Sequence, residues 1–153
     1  ILKDSHAGAF AIITCCVYFL FYFGVYSQAT VRVFPIIGLS FILSRTLSAL
    51  AIIVFPKAKK TGSVSAMARG ARDKQVIAVM VIYLIFIFAA MMVLDWKLGL
   101  ICYGTAFLVF WGYYRNAMKY FGGTTGDLAG CFLSLCELLM ACTAVIAVLI
   151  PGI

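Results

Sequence analysis

Two ionisable residues, Arg45 and Glu137, lie deep inside apolar sequence. An unpaired charge in the hydrocarbon core of a membrane costs roughly 3 kcal/mol or more, so such residues usually face a protein interior and mark a working site. Two interpretations of this pair stay open. Arg45 and Glu137 form a structural ion pair, or Arg45 reaches toward a substrate phosphate, which its planar guanidinium binds well.

Helical spacing groups further polar residues with each of these charges. At about 100° per residue, Ser44 and Arg45 share a polar arc with Ser40 and Ser48. Glu137 shares a face of small and polar residues with Asp127, which lies about 15 Å away along a helix at 1.5 Å per residue. The sequence therefore predicts a polar centre inside a helical membrane protein.

A glycine-rich segment precedes the last apolar stretch: Gly122-Gly123-Thr124-Thr125-Gly126-Asp127. Its glycines allow a tight turn, and backbone N–H groups at a helix start can then hold a phosphate. It is not a P-loop, because no Gly-Lys-Ser/Thr follows. The alternative is a tight hairpin in which Asp127 caps the helix, and spacing alone does not decide between the two.

Charged residues also open the first apolar stretch. Lys3, Asp4 and Ser5 stand just before Gly8. Asp4 or Ser5 can cap a helix by accepting a backbone N–H. A carboxylate beside a lysine at a membrane surface also suits a divalent metal ion or a proton transfer.

A lysine-rich run follows the second apolar stretch and includes Lys57, Lys59 and Lys60. Such a run is most often a solvated loop near lipid headgroups. If it lies on the same membrane face as Asp4 and Asp127, it also suits an anionic substrate.

Five apolar stretches must position these residues. Hydrophobic residues make up 65% of the 153 residues and charged residues 11%, which excludes a soluble domain of this size. Each stretch is near the ~20 residues that a helix needs to cross a bilayer. The stretches are about 8–26, 33–55, 76–94, 98–114 and 127–150. Alternating strand patterns are absent, so we expect an all-α, polytopic integral membrane protein with one transmembrane domain over residues 1–153.

The net charge of +7 is concentrated in loops. Segment 56–75 holds six basic residues and one acidic residue, a net charge of +5. The positive-inside rule then places residue 1, loop 56–75 and loop 113–126 in the cytoplasm and the C-terminus outside. We expect a multi-pass protein of the cytoplasmic (inner) membrane with its working face in the cytoplasm. The charge indicates topology and attraction for anionic lipid or substrate, and no nucleic-acid partner is expected.

Four segments, taken in order, resemble the adenosylcobinamide-GDP ribazoletransferase family, also called cobalamin synthase. Lys3-Asp4-Ser5 with Gly8 is similar to its K/R-D-S-x-x-G segment, and Ser44-Arg45 is similar to its intramembrane S-R. Segment 58–62 resembles its A-R-x-x-G loop, with Lys59 in the arginine place. Segment 122–130 resembles its G-G-x-T-G-D-x-x-G ending, followed by the expected glutamate at Glu137.

The resemblance implies a cobalamin-biosynthesis transferase that depends on Mg²⁺. In this reaction α-ribazole, or its 5′-phosphate, attacks the β-phosphorus of adenosylcobinamide-GDP; GMP leaves, and adenosylcobalamin or its phosphate forms. Asp4, beside Lys3, is then the candidate metal ligand or base, and Asp127 orients or ligates through the glycine turn. The implied phosphate contacts come from the cations and the turn: Arg45, Lys59, Lys60, Gly122, Gly123, Thr125 and Gly126.

The family also carries an acidic D-G-x-A-D-x-x-D-G motif on the N-terminal side of the K/R-D-S segment, and this sequence does not contain it. It resembles the metal-binding aspartates of CDP-alcohol phosphotransferases. We therefore expect the chain to be N-terminally truncated relative to the family, inactive alone, and dependent on main metal ligands upstream of Ile1.

Two other functions stay open at this point. A CDP-alcohol-type phosphotransferase would use the same metal chemistry. A small transporter or channel subunit would use Arg45 and Glu137 to line a path, although transporters often show repeats or broken helices. The sequence leaves the oligomeric state open, a homo-oligomer included.

The topology can be tested at Ser65, inside loop 56–75. We expect a cysteine introduced as Ser65→Cys to resist a membrane-impermeant maleimide in intact cells and to react once the membrane is opened, because the loop's charge resists translocation. The unsubstituted protein gives the background from native cysteines. Ready labelling from outside would contradict both the orientation and the cytoplasmic site.

Overall fold

The computed structural model of the chain describes residues 8–56, 58 and 73–150. These residues form five α-helices and, between the last two, a short π-helical segment, Ala117–Phe121. The α-helices are α1 (Ala9–Ser27), α2 (Phe34–Val54), α3 (Asp73–Leu94), α4 (Trp96–Asn116) and α5 (Gly126–Leu149). No β-strand occurs in these ranges. The all-α expectation is confirmed.

Four of the five helices, α1, α2, α3 and α5, are long and apolar enough to cross a membrane. The sequence predicts about five such spans, and four helices within the described residues meet this criterion of length and composition. The fourth predicted span, 98–114, does form a helix, α4, whose 21 residues would extend about 32 Å. It is less apolar than the others because it begins at Trp96-Lys97 and ends with Tyr113, Tyr114 and Arg115.

The core of the bundle lies where α2, α4 and α5 meet. α2 packs against α3, α4 and α5, and α4 packs against α3 and α5. Fully buried side chains from these helices fill the centre, among them Leu43, Leu47, Leu98, Cys102 and Met140. α1 has no buried residue and packs mainly on α5. The structure is thus a compact group of four helices with α1 on its outside.

Backbone and side-chain bonds between the connections define two ends of the bundle. At one end, residues just after α2 pair with the segment between α4 and α5. At the other end, Arg32, between α1 and α2, pairs with Asp95, between α3 and α4. The first end carries the glycine turn, and we call it the turn end. We call the other the Asp95 end.

Asp95 links three elements at its end of the bundle. One carboxylate oxygen accepts from the Leu98 backbone N–H at 3.2 Å and caps α4, while the other accepts from Arg32 Nε at 2.8 Å. Gly99 follows one turn later, and a Cβ there would lie 2.9 Å from the Met91 backbone, so only glycine lets α3 and α4 approach so closely. Burial opposes ionisation of Asp95, but the Leu98 N–H and Arg32 outweigh it and lower the pKa of the carboxyl.

A lowered pKa gives a signed pH dependence. Ionised Asp95 stabilises the fold above its ordinary pKa of about 3.9, and this contribution is lost as pH falls through the lower folded-state value. We expect Asp95→Asn, which keeps the cap, to destabilise the protein at pH 7 by no more than about 1 kcal/mol, because Arg32 is half exposed and solvent screens the pair.

Thermal unfolding in detergent from pH 7 to pH 3 measures this effect. The difference between wild type and Asp95→Asn should begin to shrink as pH falls below about 3.9 and should vanish once pH lies below the folded-state pKa. A difference that stays constant over this range would show that the charge of Asp95 contributes nothing.

Candidate functional site

Arg45, Glu137 and Ser44 form a polar cluster between α2 and α5. Arg45 donates a hydrogen bond to Glu137 Oε1 from the same nitrogen that forms the ion pair. Ser44, fully buried, donates to that oxygen at 2.8 Å. The pairing anticipated from the sequence is therefore present, and the alternative role of Arg45 toward a substrate phosphate stays a prediction.

The cluster lies at the middle of the helices. Arg45 is nine residues before the end of α2, and Glu137 is eleven residues after the start of α5, so each lies about 15 Å from the turn end. The Glu137 side chain is only 12% exposed, whereas that of Arg45 is 60% exposed and borders a groove of about 550 Å³ with Met80 and Tyr83 of α3. Arg45 is thus both an internal partner of Glu137 and a surface cation.

The glycine turn has the tight backbone that its sequence predicts. The π-helical segment ends at Gly122, whose φ of 65° lies in the left-handed region that favours glycine. The Gly123 N–H then donates to the Ala117 carbonyl oxygen at 3.1 Å. These two residues reverse the chain and leave Thr124 to Asp127 directed into α5.

Thr125, not Asp127, caps α5. The Thr125 hydroxyl oxygen accepts from the Leu128 N–H at 3.3 Å. The alternative in which Asp127 caps the helix is therefore wrong, because Thr125 is the N-cap residue and already accepts the hydrogen bond from the Leu128 N–H. Asp127 lies in the first turn of α5 and is exposed, with no hydrogen bond or ion pair to another described side chain. Gly126, between them, is the first residue of the helix and is exposed as well.

The residue between the glycines and the cap, Thr124, ties the turn to the connection after α2. Its N–H donates to the Pro56 carbonyl oxygen at 2.8 Å, and its own carbonyl oxygen accepts from the Ala58 N–H at 3.2 Å. Residues 56 and 58 begin the lysine-rich run. The structure therefore brings the start of that run alongside the glycine turn, which the sequence predicted only through a shared membrane face.

The other predicted residues are distributed as follows. Lys3, Asp4, Ser5, Lys59 and Lys60 lie outside the described residues. Gly8 is exposed and immediately precedes α1. Glu137 and Asp127 lie on one helix but ten residues apart, so they belong to two separate places, the mid-helix cluster and the glycine turn.

Tyr113 is a residue of the turn end that the sequence patterns do not single out. Its side chain is 7% exposed, and its hydroxyl hydrogen-bonds to the Thr124 hydroxyl, which is itself buried. Its ring stacks on Phe132 of α5 at 5.0 Å and contacts Phe55 after α2 at 5.6 Å. No local pattern distinguishes Tyr113 from its neighbour Tyr114, because burial comes from other helices.

No three His, Cys, Asp or Glu side chains come together within the described ranges. At the start of α5, Asp127 is the carboxylate that the glycine turn offers a divalent ion. Mg²⁺ commonly binds through one or two carboxylates together with substrate phosphates and water, so a single exposed carboxylate fits such an ion when a phosphate is present.

Comparison with known proteins gives a consistent result. The family model described as cobalamin-5-phosphate synthase matches residues 1–145. An adenosylcobinamide-GDP ribazoletransferase of Lachnoclostridium phytofermentans is 46% identical over 147 residues, which cover 96% of this chain and 56% of that protein. A protein of the same name from Desulfitobacterium hafniense is 29% identical over 143 residues, 91% of this chain and 56% of the relative. The chain thus spans about half the length of these curated relatives. No solved structure matches it.

The Arg45–Glu137 pair predicts a non-additive mutational effect. Arg45→Leu should leave Glu137 charged in an apolar setting with Ser44 as its remaining donor, and it should destabilise the protein by about 3 kcal/mol or more. The double variant Arg45→Leu with Glu137→Gln should be milder than Arg45→Leu alone, because no charge is then left unpaired. Thermal unfolding in detergent measures both. An Arg45→Leu protein as stable as wild type but without catalysis would instead support the substrate-phosphate role.

Proposed function

The chain belongs to the cobalamin-5-phosphate synthase family, and we propose that it acts as an adenosylcobinamide-GDP ribazoletransferase. The reaction joins α-ribazole, or its 5′-phosphate, to adenosylcobinamide-GDP through the β-phosphorus, and GMP is the leaving group. Because the relatives are longer than this chain, the proposal concerns the complete natural protein.

One structural observation supports the proposal most directly: Thr124 holds the start of the lysine-rich run against the glycine turn. A diphosphate substrate needs cations and N–H donors converging on one place. In the sequence, Lys57 stands between the hydrogen-bonded residues 56 and 58, and Lys59 and Lys60 follow them directly. The start of α5 supplies the positive end of a helix dipole. The turn end therefore has the composition that anion binding requires.

Asp127 places a negative charge beside this proposed anion site. An exposed carboxylate beside a phosphate site would repel the substrate unless a cation lay between them. Asp127 would hold a Mg²⁺ ion at this place, and the ion would supply the positive charge that removes this conflict and neutralises charge on the phosphate that is attacked. We therefore propose Asp127 as one ligand or orienting group of Mg²⁺. Asp4 is proposed as a further ligand or base, with Lys3 beside it, on the strength of the family motif alone.

Phosphoryl transfer depends mainly on positioning and charge, with little covalent chemistry by the protein. The proposed roles follow this division. Lys59 and Lys60 hold phosphate oxygens, and Gly122, Gly123, Thr125 and Gly126 shape the backbone around them. The Arg45–Glu137 cluster lies about 15 Å deeper and fixes α2 against α5. We propose that the reaction takes place at the cytoplasmic face of the cytoplasmic membrane, because the basic segment 56–75 starts at the turn end with Pro56 and Ala58.

The family match favours the transferase over the other two functions considered from the sequence. The pairing of Arg45 with Glu137 is also a poor basis for a transport path, since each charge is already neutralised by the other.

Asp127→Asn tests the catalytic role of the glycine turn. Because Thr125 is the cap, the substitution changes only an exposed charge and should leave the fold intact. We expect turnover of adenosylcobinamide-GDP to fall by about 10²-fold, the scale seen when one electrostatic contact to a transition state is removed. Measurement of product formation by the complete protein at several magnesium concentrations gives the answer.

Asp95→Asn is the matched control, since it makes the same chemical change at the opposite end of the bundle. It should keep near-normal turnover. Near-normal turnover in Asp127→Asn as well would assign Asp127 a structural role and remove the carboxylate from the proposed site.

A further inference from the structure

Tyr113, on α4, is in contact with the connection after α2, the glycine segment and α5 at the turn end. Its ring lies between Phe55, the residue that follows α2, and Phe132 of α5. Its hydroxyl reaches the hydroxyl of Thr124, inside the glycine segment. The ring therefore packs two helices together, while the hydroxyl makes a separate and directional contact.

Thr124 connects Tyr113 to the start of the lysine-rich run. The side chain of Thr124 bonds to Tyr113, and its backbone bonds to Pro56 and Ala58 on both sides of Lys57. Thr124 is 2% exposed, so its hydroxyl cannot turn to solvent for a replacement partner. Loss of the Tyr113 hydroxyl therefore leaves the Thr124 side chain without this partner, and we expect the hydrogen bonds of Thr124 to Pro56 and Ala58 to weaken.

We propose that Tyr113 is a positioning residue: its hydroxyl, through Thr124, fixes the start of the lysine-rich run beside the glycine turn and thereby sets the affinity for the substrate diphosphate. This inference rests on the proposed function for its kinetic consequence. Its structural part, the link from Tyr113 to the backbone of residues 56–58, does not depend on any activity.

Tyr113→Phe and Thr124→Val test the link, because both keep the shape of the side chain and remove only the hydroxyl. Thr124→Ser keeps the hydroxyl and serves as the conservative rescue. Tyr103→Phe is the matched control: this tyrosine lies on the same helix, and its hydroxyl donates to the Leu84 carbonyl oxygen at 2.9 Å, away from the turn end.

Hydrogen exchange in the complete protein in detergent measures the link without activity. In Tyr113→Phe and Thr124→Val we expect the amides of Ala58 and Thr124 to exchange about fivefold faster or more, the scale of one lost hydrogen bond. Thr124→Ser and Tyr103→Phe should leave both amides at the wild-type rate. Unchanged exchange in Tyr113→Phe and Thr124→Val would overturn the proposal.

Steady-state kinetics tests the consequence. Weaker holding of the ground-state diphosphate raises KM with little change in kcat. We expect KM for adenosylcobinamide-GDP to rise up to about tenfold in Tyr113→Phe and in Thr124→Val, the scale of one lost hydrogen bond, and to stay at the wild-type value in Thr124→Ser. A KM that stays at the wild-type value in Tyr113→Phe, despite faster exchange, would make the bond purely structural and overturn the positioning role.

The two proposals fail in different ways. A complete wild-type protein that forms no cobalamin product would contradict the proposed function. The exchange measurement would then still decide whether Tyr113 holds the start of the lysine-rich run.

Discussion

The hydrocarbon core of the bilayer supplies no partner for a charge, and this constraint underlies the arrangement of the helices. α2 and α5 each carry one ionisable side chain about 15 Å from the turn end, and each satisfies the other with the help of Ser44. The pair fixes the rotation of both helices about their axes and their relative height, since a shift of either would separate the charges. Leu43, Leu47 and Met140 are fully buried in the same core, and apolar contacts of this kind are not directional.

The site depends on this placement of α2 and α5 because its parts come from the ends of the same helices. The connection after α2 and the segment before α5 meet at Thr124, and the hydrogen bonds there require the two helix ends to stand at one level. α4 adds Tyr113 from the third side. The same two helices, α2 and α5, are therefore held together at two heights. The charged pair holds them in the middle of the bundle, and the hydrogen bonds of Thr124 hold their connections at the turn end.

Much of this could be predicted from the sequence, and the reason lies in local signals. Length and hydropathy gave the helices to within a few residues, and the glycine pair predicted the tight turn because its backbone geometry is a local property. α4 is the predicted span that is not among the four most apolar helices, because it carries Trp96, Lys97 and Arg115 at its ends. Asp127 was one alternative for the cap of α5, but the cap is Thr125, two residues earlier. The sequence could not decide between them because aspartate and threonine both cap helices well.

The contribution of Tyr113 could not be predicted, because its contacts come from elements more than ten residues away on either side. Its burial is a property of the assembled bundle. The backbone hydrogen bonds of Thr124 to Pro56 and Ala58 could not be predicted either, because no pattern within either segment indicates that the two segments meet.

The Asp95 end offers a practical opportunity for protein engineering. The contacts at this end are the pair of Arg32 with Asp95 and the close approach of α3 and α4 at Gly99. They lie about one helix length from the glycine turn, which is about 36 Å for the 24 residues of α5. Effects of substitutions that far apart are expected to add independently. Thermostabilising changes for work in detergent therefore belong around Asp95, where the protein can be made more robust for purification while the lysine-rich run and the glycine turn keep their natural sequence.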